Sequence, residues 1–231
     1  MGIKKKTEVR KKQIIAAAAK VFAEKGFQEA TIAEIAKKAK ISEASIYEYF
    51  TTKEGLLFSI PAESAREIFD LMAFHLKLIR GAANKLRAIV ALFMHSYQHH
   101  ADFAAIIMLI LKHNKRFLET EGHQVIRRGI RHITQVVEEG MASGEFRSDL
   151  DPYVVRAIIL GTIEHLVTSW IMTGRPENLE VLVDPLMDSI IAGIQTPSAG
   201  PEHWSLGKPP ALPAMPSAGG EGAGGVSEIL T

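Results

Sequence analysis

Residues 31–53 constrain the fold of this chain more than any other segment, because they combine the signals of two short helices joined by a tight turn. Thr31, followed by Glu34 three residues later, matches the capping-box pattern that begins a helix. Ser42 matches the preference for a hydroxyl at the start of the next helix. The turn between them is therefore about three residues long, as in a helix-turn-helix. The spacing alone is equally compatible with an ordinary helical hairpin.

The outer face of the second helix favours the DNA-binding interpretation. Ala44 and Ser45 are small, so the helix backbone can approach base edges in a major groove. Tyr47 and Tyr49 carry hydroxyls that can donate hydrogen bonds to phosphate oxygens. Lys53 begins the next helix, where its charge and the free backbone N–H groups can both meet a phosphate.

A basic arm precedes the motif, and it consists of Lys4, Lys5, Lys6, Arg10, Lys11 and Lys12. Residues 1–56 carry 12 of the 27 Lys and Arg residues but only 7 of the 26 Asp and Glu residues, a net charge of +5. The rest of the chain has a net charge of −4, which the overall +1 hides. This asymmetry directs DNA to the N-terminal end, and we expect affinity to fall steeply with salt.

Residues 7–57 resemble, without a gap, the N-terminal domain of the TetR/AcrR family of bacterial transcriptional regulators. The resemblance rests on the segments AAAAKVFAEKGF and SEASIYEYFTTKEGL. It implies a three-helix DNA-binding head on a larger helical body, acting as a homodimer on a double-stranded operator. A regulator of this kind, by default a repressor, is released from DNA when a ligand binds the body.

The resemblance also assigns roles to single positions in the motif. The positions that match phosphate contacts are Thr31, Tyr47, Tyr49 and Lys53. Those that match base-facing positions are Glu43, Ala44, Ser45 and Glu48, while Ile46 and Phe50 match the core. With the N-cap Ser42, these surface positions make up the predicted DNA-binding site.

Two features depart from the family pattern. Many members have Gly where this chain has Lys40, which costs about 1 kcal/mol if the turn needs a positive φ there. Many members also have a basic or neutral residue where Glu43 and Glu48 stand. A carboxylate repels phosphate, although it can accept a hydrogen bond from cytosine N4 or pair with a neighbouring Lys. These departures leave the base readout open.

The composition excludes several other classes of protein. The chain has 231 residues, 47% of them hydrophobic, which suffices for a large core, and it has no cysteine for disulfides or thiolate metal sites. The N-terminus lacks the apolar run of a signal peptide. The chain also lacks an uninterrupted apolar stretch of 18 residues, so we expect no membrane-spanning helix. A nucleophile elbow, a P-loop and a dinucleotide fingerprint are also missing. We therefore expect a cytoplasmic protein that is not an enzyme, has no cofactor and does not contact a membrane.

Periodicity predicts an all-α fold of about nine helices with no strand. After the three helices of the head and one that begins at Lys53 and runs towards Gly81, the predicted helices cover residues 84–100, 101–120, 121–142, 152–173 and 179–195. We divide the chain into a DNA-binding domain at 1–52, a ligand-binding and dimerisation domain at 53–196, and a disordered tail at 197–231. The tail contains seven Gly and six Pro residues, a composition that cannot bury a core.

The last two predicted helices are the expected dimer surface. Their apolar stripes consist of Ile158, Ile159, Gly161, Thr162, Ile163, Leu166 and Val167 on one helix, and of Leu182, Leu186, Ile190, Ile191 and Ile194 on the other. Two such helices from each subunit can form a four-helix bundle about a two-fold axis. The same stripes could instead close the core of the monomer.

The middle helices are the expected site of a small hydrophobic ligand. Flexible, aromatic and isolated polar side chains suited to a pocket wall are Met72, Phe93, Met94, Tyr97, Met108, Leu111, Asn114, Glu164, Val167, Thr168 and Trp170. The segment GTIEHLVTSWIM at residues 161–172 is similar to the matching helix of members that respond to fatty acyl-CoA. Cations for the phosphates of CoA would be Lys112, Lys115, Arg116, Arg127, Arg128 and Arg131, although these residues also suit ordinary solvated faces.

Two other interpretations of the sequence are a metal site and a ligand-binding protein that does not bind DNA. His95 and His99 have the i, i+4 spacing of metal ligands, but the sequence places no third ligand beside them, so we predict no metal site. A helical lipid-binding or small-molecule-binding protein without DNA-binding function would explain the apolar body. It would leave the basic arm and the exposed tyrosines without a purpose.

Overall fold

The computed structural model describes residues 2–197 and, within them, the side chains from Thr7 onwards except those of Ser64 and Glu67. Over this range the chain forms nine α-helices: α1 Gly2–Glu29, α2 Ile32–Ala39, α3 Glu43–Tyr47, α4 Lys53–Leu76, α5 Ala82–His99, α6 Ala101–Ala105, α7 Glu121–Ala142, α8 Pro152–Thr173 and α9 Val183–Ile194. A π-helical turn follows α6 at Ile106–Leu111, and 3-10 turns lie at Lys115–Glu119 and Leu179–Leu182. The all-α prediction is confirmed. The predicted tail, apart from Pro197, and the side chains of Lys4, Lys5 and Lys6 lie outside the described residues.

Local capping fixes the helices of the head. Thr31 Oγ1 accepts a hydrogen bond from the Glu34 N–H at 3.2 Å, and a Glu34 carboxylate oxygen accepts one from the Thr31 N–H at 3.2 Å. This capping box confirms the predicted start of α2. The helix ends at Lys40, whose φ of 54° is left-handed, as the comparison with glycine at this position led us to expect. Ser42 then caps α3 by accepting from the Ser45 N–H at 3.2 Å.

Two helices of the body also have the predicted bounds because their signals are local. Thr120 caps α7 through the N–H of His123, and Asp151 caps α8 through the N–H of Tyr153 at 2.7 Å. The left-handed Gly174 ends α8.

The predicted single helix over residues 101–120 is wrong. After α6 the backbone changes to a π turn, in which the N–H of Lys112 donates to the carbonyl oxygen of Ile107 at 3.1 Å, five residues back. The helix then ends, because Asn114 takes an extended conformation and its side chain accepts from the N–H of Arg116 at 3.0 Å, which begins the 3-10 turn.

Two clusters of buried apolar side chains organise the described chain. The body cluster joins α4, α5, α7, α8 and α9. The head cluster contains the cores of α1, α2 and α3 and the first two turns of α4, where Leu56, Leu57 and Ile60 are fully buried. It also contains Ile106, Leu111 and Phe117, which belong to the body by sequence. The predicted boundary at residue 52 falls just before α4, the helix that enters both clusters, and it stays a prediction.

Close packing of α4 against α7 depends on small residues in α7. A Cβ atom at Gly129 would lie 2.3 Å from the ring of Phe69, and one at Gly122 would lie 2.5 Å from the carbonyl oxygen of Phe58. Both distances are shorter than a Cβ atom tolerates, so glycine at these positions lets the two helices approach.

Helix α8 has one face in the body core and one that faces outwards. Ile159, Ile163 and Val167 are buried in the body cluster, as is Ile194 of α9, so these four of the predicted dimer-stripe residues close the monomer instead. Ile158 and Gly161 are exposed, and Thr162, Leu166, Leu182, Leu186, Ile190 and Ile191 are half-buried. Among the described helices, α8 alone has the length and apolar composition of a membrane span, which a core helix of a soluble protein also has.

Candidate DNA-binding face and effector cavity

The outer face of α3 carries most of the predicted DNA-binding residues. Ser42, Glu43, Ala44 and Glu48 are exposed, and 53% of Tyr47 is accessible to solvent. Ser45 is half-buried, and its hydroxyl lies 2.9 Å from that of Ser42. On the opposite face Ile46 is fully buried. The helix is therefore held from behind and presents a small-residue surface flanked by a tyrosine.

The other residues predicted to contact phosphates differ in their exposure and in the hydrogen bonds that they already make within the protein. Thr31 is exposed, and its oxygen accepts the capping bond, so its O–H remains able to donate. Tyr49 is half-buried against the head core. Lys53 is also half-buried, and its ammonium donates to the carbonyl oxygens of Gln28 at 3.2 Å and Ala30 at 2.8 Å.

The Lys53 ammonium also lies 4.6 Å from the centre of the Phe27 ring. Lys53 thus ties the start of α4 to the end of α1, a positioning role that sequence reasoning missed. A phosphate could still reach the backbone N–H groups of the first turn of α4.

The two acidic side chains of this face, Glu43 and Glu48, are exposed to solvent. Glu43 and Glu48 make no ion pair in the described part of the chain, whereas Glu34 pairs with Lys25 and Glu24 pairs with Lys38 at 2.6 Å. The pairing with a neighbouring Lys that the sequence left open is therefore not observed. Hydrogen bonding to a base edge remains the attractive role open to these two carboxylates.

The body encloses an apolar cavity of about 290 Å³, near the lower end of the range for small-molecule sites. Its wall is built from five helices and the segment between α6 and α7. The lining residues are Ala65, Ile68, Phe69, Phe93, Ser96, Tyr97, Phe103, Ile107, Met108, Leu111, Lys112, Phe117, Leu118, His123, Ile126, Ile130, Leu160, Ile163 and Glu164.

Five of the eleven predicted ligand-binding residues line this cavity: Phe93, Tyr97, Met108, Leu111 and Glu164. The other six, Met72, Met94, Asn114, Val167, Thr168 and Trp170, lie elsewhere. Met72, Met94 and Val167 are buried in the body core, and Asn114 caps the 3-10 turn. Thr168 and Trp170 lie on half-buried positions further along α8.

Sequence reasoning missed most of the cavity wall. The rings of Phe69 and Phe117 and the side chains that α7 contributes were not predicted, because single apolar residues on a helix do not show which of them borders a void. Glu164, in the middle of α8, was the useful signal, since a carboxylate interrupts an apolar run there.

The polar groups of the cavity lie at distinct points of its wall. Glu164 pairs with the ammonium of Lys112, and desolvation there lowers the pKa of Lys112 below its usual value. Burial raises the pKa of Tyr97 to about 12, so its phenol stays neutral and can donate a hydrogen bond. Ser96 and His123 complete the polar lining. An apolar cavity with one ion pair in its wall suits a ligand with a long apolar part and a polar end.

The predicted cations beyond Lys112 lie on the outside of the body. Lys115, Arg127, Arg128 and Arg131 are exposed. Arg116 is paired with Glu54 of α4 at 2.7 Å.

One segment touches both the cavity and the head. Leu111 and Phe117 line the cavity and are also buried members of the head cluster. The ring of Phe117 lies 5.8 Å from that of Phe58 on α4. A ligand that displaces these side chains would therefore act on the packing of α4 within the head cluster.

Family models match most of the described chain. The model described as bacterial regulatory proteins, tetR family, matches residues 14–60, and that of the YsiA-like protein, C-terminal region, matches residues 63–193. The second match covers more than half of the chain. The boundary between the two matches falls inside α4.

Individual relatives are similar over nearly their whole length. The fatty acid metabolism regulator protein of Bacillus subtilis is 28% identical over 182 residues, which are 79% of this chain and 94% of that protein. The transcriptional repressor KstR2 of Mycolicibacterium smegmatis is 27% identical over 203 residues, which are 84% and 94% of the two chains. The solved structure of the regulator FadR from Bacillus subtilis in complex with stearoyl-CoA has a TM-score of 0.74 at 28% identity, covering 79% of this chain and 98% of that one.

Proposed function

The chain belongs to the TetR family of bacterial transcriptional regulators, and we propose on that premise that it is a repressor released from a palindromic operator by a long-chain acyl-CoA. The observation that carries the proposal is the pair of side chains, Leu111 and Phe117, that belong to both the effector cavity and the head core. The protein would work in the bacterial cytoplasm, where it meets both its operator and acyl-CoA.

The DNA-binding half of the proposal depends on the outer face of α3. In a major groove Ala44 and Ser45 would approach the bases, and Tyr47 and Thr31 would donate to phosphates. Glu43 and Glu48 would accept from cytosine N4 groups, which favours operators with cytosine at the facing positions. The whole predicted set of nine residues remains the candidate site.

The effector half depends on the chemistry of the cavity. The FadR relative whose structure contains stearoyl-CoA is similar over most of both chains. An acyl chain would occupy the apolar wall between Phe69, Phe93 and Met108. The thioester end would meet the pair of Lys112 and Glu164, and the CoA phosphates would reach the exposed Lys115 and the arginines of α7.

Coupling would run through the segment between α6 and α7. An acyl chain that inserts beside Leu111 and Phe117 would shift the π turn and the 3-10 turn. The first turns of α4, which pack against these residues, would shift with them. A ligand changes DNA affinity only through its different affinity for the two conformations. A 100-fold preference would supply about 2.7 kcal/mol, a large part of specific DNA affinity.

Dimerisation would use the outward faces of α8 and α9. Ile158, Gly161 and Leu166 offer apolar surface with a small residue for close approach. Two heads held by a four-helix bundle could read half-sites about one helical turn, or a multiple of it, apart. The two-fold symmetry of the dimer then requires a palindromic operator.

The first experiment measures binding of the full chain to DNA from upstream of its own gene by fluorescence anisotropy. We expect a specific Kd of roughly 10⁻⁸–10⁻¹¹ M, at least about 1000-fold tighter than for scrambled DNA. Equal affinity for both DNA molecules would contradict the proposal and favour the alternative of a lipid-binding protein that does not read DNA.

The second experiment adds palmitoyl-CoA or oleoyl-CoA, with free CoA and free palmitate as controls. We expect release of the operator and thermal stabilisation of the free protein, worth about 2.7 kcal/mol when the ligand is at 100 times its Kd. Met108→Trp would fill the cavity and abolish the response, while Leu109→Trp, at an exposed position of the same turn, would keep it. No shift at tens of micromolar acyl-CoA would contradict this effector.

A further inference from the structure

Two histidines and a glutamate from distant parts of the sequence meet on the surface of the body. His95 and His99 lie one turn apart on α5, and their ring centres are 4.0 Å from each other. Glu180 comes from the 3-10 turn at Leu179–Leu182. Its Oε1 is 2.7 Å from His95 Nδ1 and 4.0 Å from His99 Nδ1. One potential ligand atom from each residue lies within 4.8 Å of the other two.

The backbone that carries Glu180 is held in place against α5. Gln98, between the two histidines, donates to the carbonyl oxygen of Glu177 at 3.2 Å and accepts from the N–H of Leu179 at 2.7 Å. The side chain of Asn178 accepts from the N–H of Glu180 at 2.8 Å. Leu179 is fully buried in the body core. The third ligand position is therefore fixed by four contacts that do not involve the histidines.

The hydrogen bond of His99 leaves one of its ring nitrogens available to a metal ion. His99 Nδ1 lies 2.9 Å from the carbonyl oxygen of His95, which can only accept, so in the neutral ring Nδ1 carries the proton and Nε2 keeps its lone pair. Metal-binding histidines usually donate their second ring N–H to a carbonyl or carboxylate in this way. The side chains of His95 and His99 are 56% and 55% exposed, so small rotations can bring their ring nitrogens together.

We infer that His95, His99 and Glu180 form a binding site for a divalent transition-metal ion of the zinc type. Two imidazole nitrogens and one carboxylate oxygen are a donor set that zinc accepts, and water would complete a tetrahedron. Ligand atoms of tetrahedral zinc are about 3.4 Å apart, within the range that these three residues span. Magnesium and calcium prefer oxygen ligands alone and would bind poorly.

The bound ion would connect the end of α5 to the turn between α8 and α9. The inference does not rest on the proposed function, because neither DNA nor an acyl-CoA takes part. The ordinary alternative is that His95 and Glu180 form only a surface hydrogen bond, and the two interpretations differ in what a metal titration gives.

The test uses the full chain after treatment with EDTA and dialysis. Zn²⁺ is titrated by calorimetry, Co²⁺ is followed by its visible absorption, and Mg²⁺ serves as the oxygen-preferring control. We expect one Zn²⁺ per chain, intense absorption bands of tetrahedral Co²⁺, and no heat from Mg²⁺. His99→Ala and Glu180→Gln should each weaken Zn²⁺ binding by at least about 10-fold.

His75→Ala is the matched control. His75 is exposed and its Nδ1 lies 2.9 Å from the carbonyl oxygen four residues back, as in His99, yet it belongs to no ligand group in the described chain. Its removal should leave Zn²⁺ binding unchanged. Melting temperatures in EDTA show that each variant is folded. Absence of Zn²⁺ binding, or equal binding by wild type, His99→Ala and Glu180→Gln, would overturn the inference.

Discussion

The head and the body of this protein are both helical, but they are specified in different ways. The head is set by signals within a few residues of each other: the capping box at Thr31, the left-handed Lys40 and the cap at Ser42. The body's cavity is assembled from side chains as far apart in sequence as Ala65 and Glu164. The head thus presents a surface that its own sequence defines, whereas the body encloses a space that only the fold defines.

This difference implies that substitutions in the two regions should affect different measurements. A change on the outer face of α3 should alter DNA affinity without altering stability. A change where α4 meets α7 should alter stability first. Four variants, taken in order of decreasing expected effect, test this division.

Tyr47→Phe should weaken operator binding by about 10- to 100-fold, because a hydrogen bond to a charged group contributes about 1.5–3 kcal/mol. The ring of Tyr47 stays exposed, so the melting temperature should not change. Anisotropy with operator DNA and a thermal melt measure the two effects. Tyr153→Phe, at an exposed tyrosine of the body, is the control and should bind like the wild type. Equal affinity of both variants would remove Tyr47 from the site.

Gly129→Ala should destabilise the body by about 1–3 kcal/mol, because the new methyl group overlaps the ring of Phe69. Urea unfolding measures the change. Arg128→Ala, at the neighbouring exposed position of α7, should change the free energy of unfolding by less than about 0.5 kcal/mol. If both variants unfold at the same urea concentration, α4 and α7 are not packed as closely as described.

Lys40→Gly should stabilise the head by about 1 kcal/mol, because glycine has no Cβ penalty at the φ of 54°. Lys37→Gly, in the last turn of α2, should have the opposite sign and cost up to about 1 kcal/mol. Urea unfolding of both variants checks the sign. A loss of stability in Lys40→Gly would mean that the lysine side chain has a stabilising role beyond the turn.

Arg116→Ala should have the smallest effect, since its ion pair with Glu54 joins side chains that are 77% and 20% exposed. Such pairs contribute about 0.2–1 kcal/mol. A double-mutant cycle with Glu54→Ala isolates the pair, and the coupling should decrease at high salt. A coupling of zero would mean that the apolar contacts of Phe117, and not this ion pair, connect the turn with the head.

The sequence predicted best those helices whose first or last residues have recognisable capping side chains or backbone conformations. Helices α7 and α8 have the predicted bounds, and local caps mark those bounds in the structure: Thr120 and Asp151 begin the two helices, and Gly174 ends α8. The capping box was predictable for the same reason, whereas the positive φ at Lys40 was expected from the glycine that many family members have at this position. Lys53 was assigned a DNA contact, yet its ammonium binds carbonyl oxygens at the end of α1, a contact across 23 and 25 residues that no local pattern indicates.

The segment from Ala101 to Thr120 was predicted as one helix because its apolar run has no obvious break. A π turn moves each following side chain around the axis, so the periodicity of the sequence no longer reports which face is inside. A different limitation explains why Met94 and Val167 were assigned to the ligand. Both are as apolar as Phe93 and Met108, which belong to the same core cluster and line the cavity, and residue type does not show which core side chains border a void.

The sharing of Leu111 and Phe117 between cavity and head bears on how such a regulator can acquire a new inducer. Under the proposed mechanism, a substitution at either residue would change the preferred ligand and the resting occupancy of the promoter together, so most such changes would be selected against. Phe93, Leu160 and Ile163 pack only within the body cluster. We expect inducer preference to diverge, in nature or in a laboratory biosensor, through these three positions before the shared pair.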